Sequence, residues 1–159
     1  MNTAAIAPSL TTLFRELVEG AGETSAYVLN RGDSGLLRTL DRLDAAAASR
    51  VTETGSSIAA HVDHLCYGLS LLNRWAAGEN PWDDADWAAS WRNTSVTEIE
   101  WKQLRARLRN EAREWANVIG TPRAVEEIEL NGIIASVAHV AYHIGAIRQI
   151  DTRARGPFA

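Results

Sequence analysis

Apolar residues recur along this chain at steps of three and four, the period of an amphipathic helix, in four long stretches. The first stripe is Leu10, Leu13, Phe14, Leu17 and Val18, with Ser9 placed to cap it and Gly20 and Gly22 to end it. A second, at about 57–77, carries Ile58, Val62, Leu65, Leu69 and Leu72 on one side and Ala60, Tyr67, Leu71 and Trp75 on the other. An apolar arc that wide predicts a well-buried helix, capped by Ser56 or Ser57 and closed by Gly78. The third, at about 98–119, carries Trp101, Leu104, Leu108, Ala112, Trp115 and Ile119 behind the capping box Thr97-x-x-Glu100. Its arginines 105, 107, 109 and 113 read as a solvated charge face. The fourth, at about 132–151, places Ile133, Val137, Ala141, Ile144 and Ile147 inward, with Asn131 as its cap.

Between these stretches the pattern changes. Residues 1–8 read as a frayed arm and 152–159 as a polar tail. Residues 21–56 form a long insert between the first two helices. It holds a loop through Asn30–Gly35, a short helix or two at 36–50 around Leu36, Leu37, Leu40 and Leu43, and a weak break at Thr52-Glu53-Thr54-Gly55. Residues 79–96 are polar but contain Trp82, Trp87 and Trp91, so this linker has the aromatic surface to pack down. Val125–Leu130 alternates, yet a lone strand has no partner, and a loop is expected there. Four amphipathic helices without a sheet predict an all-α, four-helix bundle in one domain spanning 9–151.

Composition narrows the function. A chain of 159 residues that is 46% hydrophobic and 23% charged is an ordinary globular domain. A net charge of -4 argues against nucleic acid or an anionic membrane as partner. No apolar run reaches membrane-spanning length, and the N-terminus lacks the features of a signal peptide. Cys66 alone excludes an intrachain disulfide and suits a cytoplasmic location. Apolar helix faces and six tryptophans leave room for a homodimer.

The candidate chemistry is in the histidines. His139 and His143 are four residues apart on one face of the last helix, and His61 and His64 lie about one turn apart in the second. Two neutral imidazoles side by side in a dry core lack hydrogen-bond partners, and a shared cation supplies one. His64 lies about one-third of the way along its helix and His143 a similar distance from the far end of the last. Antiparallel packing therefore brings them to one depth. His64, His139 and His143 are the expected metal ligands. Three imidazoles suit zinc, nickel or iron and leave a coordination position open, as catalytic sites do. His61 is open to three readings: a fourth ligand, a catalytic acid/base beside the metal, or a core histidine; lining the pocket without ligation is favoured. Val140 follows His139, so the glutamate of a zinc-protease motif is missing. Cys66 reads as a small buried filler.

Two blocks carry a resemblance. Ser57-Ile58-Ala59-Ala60-His61-Val62-Asp63-His64-Leu65 and His139-Val140-Ala141-Tyr142-His143-Ile144-Gly145 resemble the second- and last-helix blocks of the DinB-like superfamily of metalloproteins. The resemblance covers most of the chain and implies ligand roles for His64, His139 and His143. It also implies an up-down-down-up bundle whose parallel central pair is joined by a long crossover, which residues 79–96 fit. It further implies a divalent metal, zinc or nickel, and an S-transferase-like activity in which the metal activates a low-molecular-weight thiol toward a small-molecule substrate. Helical spacing puts Tyr67 and Ser136 near the metal as substrate-pocket residues, and Arg148 away from it in a salt bridge or subunit contact. A hydrolase using bound hydroxide, with His61 as proton shuttle, and a non-catalytic stress-response or binding module are the alternatives.

Overall fold

The structure, a computed structural model, describes residues 2–53 and 55–157. Met1, Thr54, Phe158 and Ala159, which fall in the expected arm, break and tail, lie outside the described residues. Six α-helices lie among the described residues. α1 spans Ala7–Glu19, α2 Gly35–Asp41, α3 Ala45–Ala48, α4 Ile58–Ala76, α5 Glu98–Gly120 and α6 Glu127–Ile150. Short 3₁₀ turns at Ala89–Trp91 and Thr152–Ala154 complete the order.

The four long helices form the bundle. α1 packs against α5 and α6, and α4 against the same two. Phe14, Leu17, Leu65, Trp101, Leu108, Trp115 and Ile147 are fully buried between them. Caps set the starts that position the site. Ser57 Oγ accepts from Ala60 N at 3.2 Å and donates to the carbonyl of Thr94 at 2.8 Å, so the cap of α4 also holds the end of the linker. Thr97 and Glu100 make both bonds of the capping box of α5.

Two helix starts and the N-terminal arm differ from the sequence reading. α1 opens at Ala7 rather than after Ser9, because Pro8 sits in its first turn, where a missing N–H costs nothing. Upstream, Thr3 N donates to the carbonyl of Arg123 at 2.9 Å and Thr3 is buried, so the expected arm is tied down from Asn2 onward. α6 begins at Glu127, not after Asn131. The alternating run is helical because Glu127 and Glu129 face the positive end of the helix dipole, and Glu129 pairs with Arg123. Among the described residues α6 is the one helix long and apolar enough to cross a membrane, with mean hydropathy 1.4. Core helices of bundles meet the same criterion, and this one buries Ser136, His143 and Ile147 inward.

The insert builds core rather than looping out. Leu36, Leu40 and Leu43 are buried, and Trp101 Nε1 donates to the carbonyl of Leu43 at 2.7 Å. Glu16 Oε1 accepts from the backbone N–H groups of Tyr27, Val28 and Leu29 at 3.0, 2.7 and 2.7 Å, which folds the loop onto α1. Asp33, 1% exposed, accepts from Arg148 of α6 at 2.8 Å and from Gly35 N at 2.9 Å. Arg148 thus occupies the salt bridge its position on the helix predicts. Breaking this pair strands a half-buried guanidinium. Asp33→Ala is expected to lower unfolding free energy by about 3 kcal/mol in urea titrations. A loss under about 1 kcal/mol would show the pair to be solvent-screened like a surface one.

Candidate metal centre

Four imidazoles meet where α4 faces α6. His61 and His64 come from the first two turns of α4, and His139 and His143 from successive turns of α6. His64, His139 and His143 each direct one ring nitrogen to a common point, and those atoms all lie within 4.8 Å of one another. His139 Nε2 is 3.1 Å from His64 Nε2 and 2.9 Å from His143 Nε2.

Proton accounting shows what this arrangement asks for. The Ser90 hydroxyl donates to the carbonyl of Trp87 at 2.7 Å, so toward His64 Nδ1, 2.8 Å away, it can only accept. His64 therefore carries its proton on Nδ1 and turns a bare lone pair on Nε2 to the centre. His143 Nδ1 lies 2.8 Å from His61 Nδ1, a bond that engages the outer nitrogen of that ring too. Neutral His139 then has at most one proton to share with two neighbours. Adding protons does not relieve the crowding. Burial, and then the neighbouring histidines, lower the His64 pKa to about 4 and the His143 pKa to about 3. Burial also lowers those of His61 and His139.

A cation at the centre gives each Nε2 lone pair its own partner. Tetrahedral zinc bound at about 2.0–2.1 Å needs ligand nitrogens about 3.3 Å apart, a few tenths of an ångström beyond the spacing of His139 from each of the other two. Small ring rotations supply that. The donor set therefore fits a divalent transition ion held by three neutral imidazoles.

The surrounding groups orient the ligands and keep water away. Trp91 stacks on His64 at 4.3 Å between centroids, with its edge toward His61 at 5.1 Å. Trp87 lies 5.5 Å from His64. Both belong to the linker, which the tryptophan content predicted would pack down. Ser90 and the stacking of Trp91 were not foreseen, since helical spacing says nothing about where a linker residue lands. Ser90 holds the tautomer of a ligand, so Ser90→Ala is expected to weaken metal binding about 10- to 100-fold in chelator competition. An unchanged affinity would mean the His64 ring is held by packing alone.

His61 is turned toward His143 and not toward the three-nitrogen centre. On its far side a second cleft of about 420 Å³ is lined by Thr52, Ser56, Tyr142 and Gln149. The geometry gives His61 a positioning role on His143. His61 itself lines that second cleft, with Trp91 beside it. Tyr67 likewise serves the linker: its hydroxyl accepts from Asp86 N at 2.9 Å, and its ring meets Trp87. Ser136 does line the cleft beside the histidines, but its Oγ already donates to the carbonyl of Ile133 at 2.6 Å and accepts from Trp115 Nε1 at 2.8 Å. Cys66 faces α5, where its sulfur accepts from Arg107 Nε at 2.8 Å; burial raises its thiol pKa. It is a filler with a partner, and Arg107, which also pairs with Asp63, stays on the solvated charge face.

On one side the centre is open. A cleft of about 480 Å³ reaches His64 and His139 between α4, α6 and the linker. Comparison with known proteins finds no matching family model, no matching curated protein and no matching solved structure.

Proposed function

We propose that this chain is a metal-dependent enzyme that activates a low-molecular-weight thiol at His64, His139 and His143 for transfer to a small-molecule electrophile. The observation that carries the proposal is two buried imidazoles and a half-buried one, His139, gathered within metal-binding distance with a substrate-sized cleft at their edge. A structural site would be closed by a fourth protein ligand, and here a cleft adjoins instead. Zinc or nickel are the ions of choice for three neutral imidazoles.

When bound, such an ion lowers the pKa of a thiol that reaches its open position, so that thiolate forms near neutral pH. The rest is done by this chain. Ser90 and His61 hold the tautomers and planes of His64 and His143, Trp91 excludes water from one side, and the cleft positions what enters from the other.

The reading also includes a DinB-like, up-down-down-up topology. It is supported by the two histidine blocks and by the long connection 77–97 between α4 and α5, which pack directly on each other. Parallel neighbours need such a crossover.

The test is metal analysis of protein purified without a histidine tag, followed by a panel of low-molecular-weight thiols with a generic electrophile. One equivalent of metal and a rate above that of metal-free protein are expected. No rate enhancement with any thiol would remove the transferase reading, and no stoichiometric metal would remove the enzyme reading altogether.

A further inference from the structure

The cleft that meets the histidines has a chemistry of its own. Its walls are Leu69 and Leu72 of α4 and the indoles of Trp82 and Trp87 from the linker. Small residues thin the remaining walls. Gly68 brings α4 close to its neighbours: a Cβ there would lie 3.5 Å from both His139 and the Trp87 ring. Gly132 does the same on α6, where a Cβ would press on Trp75 at 2.9 Å. None of the ten lining residues is acidic, lysine or arginine. The polar atom of Ser136 is already spent on Trp115 and Ile133. His64 has committed its outer nitrogen to Ser90.

We propose that this cleft binds a largely apolar small molecule of aryl or alkyl character, presented end-on to the metal position, and that it disfavours a carboxylate or phosphate at the end remote from the metal. The end-on contact rests on the metal reading above; the selectivity against a remote charge rests on the lining alone. A carboxylate held among the leucines and indole faces, away from the metal position, loses part of its water and meets no lysine or arginine. An aryl group finds two indole faces and two leucines. Trp82 and Trp87 are 39% and 41% exposed, so a ligand has apolar surface to cover. The volume lies within the usual range for small-molecule sites, about 300–1,000 Å³.

The full chain loaded with cobalt(II) provides two separate readouts: tryptophan fluorescence for the cleft, and thiolate-to-cobalt absorption for contact with the metal. The probes are phenylmethanethiol, its para-carboxylate and toluene, and Trp87→Phe assigns the fluorescence change. Phenylmethanethiol is expected to move both signals saturably, toluene the fluorescence only, and the carboxylate to bind about 100-fold more weakly than its parent. Ala135→Arg, which puts a cation on an exposed position of the rim, should shrink that ratio to about tenfold or less. Equal binding of the two thiols in the unsubstituted protein overturns the inference. So does a cobalt band from both thiols with no fluorescence change, which leaves the metal reading intact. A saturable toluene response with no cobalt band from any thiol has the opposite meaning: the apolar cleft stands and the metal reading falls. Silence in both channels with all three probes rejects both.

Discussion

His139→Ala is expected to weaken zinc or nickel binding by about a thousandfold, which is roughly one-third of the free energy of a structural zinc site. His139 Nε2 lies within 3.1 Å of both His64 Nε2 and His143 Nε2, so it is the nitrogen that links the other two. Its removal leaves two donors on different helices with nothing between them. Chelator competition measures the affinity directly. A thermal scan gives an independent measure. Metal at a hundred times its Kd stabilises the folded state by about 2.7 kcal/mol, or roughly 5–10 °C for a domain of this size. That shift should vanish in the variant. Metal-free protein should change little, because the variant also removes a crowded imidazole. A variant that retains the shift would mean that metal binds elsewhere, and the functional case would lose its site.

Acid should unfold the metal-free protein by way of the same rings. The folded-state pKa of His64 is lowered to about 4 and that of His143 to about 3, from an unfolded value near 6.5. Between those values the unfolded chain binds protons that the folded chain refuses. Stability is therefore full above pH 6.5 and falls as pH drops toward 4 and then 3. Each ring contributes a slope of up to about 1.4 kcal/mol per pH unit, and because the two repel each other their sum is an upper bound. Urea titrations from pH 7.5 to 4.5 read this slope. His143→Gln should reduce it by about half. Zinc should flatten its upper part, since a proton must then displace the ion. A stability that is constant from pH 6.5 to 4.5 would place these rings in water, whatever their distances.

The sequence by itself determined the elements whose physics is local. The period of three and four placed α1, α4, α5 and the body of α6. Thr97 with Glu100 marked a helix start because a capping box is made within four residues. His139 and His143 share a face by helical geometry alone, and His64 could be matched to them by depth. Local signals failed where two of them competed. Val125–Leu130 alternates and reads as loop for want of a partner strand, whereas α6 starts within it at Glu127, with Glu127 and Glu129 in its first turn.

Tertiary packing decided everything that depends on what lies across a gap. His61 and His64 are almost interchangeable in sequence, yet one joins the three-nitrogen centre and the other meets the outer nitrogen of His143, because they face different turns of α6. Ser90 and Trp91 reach His64 through a linker whose path no periodicity encodes. Asp33 finds Arg148 across more than a hundred residues of chain. A helix carries its geometry in its own hydrogen bonds, so spacing predicts it. A hydrogen bond between distant segments exists only once the core has brought them together.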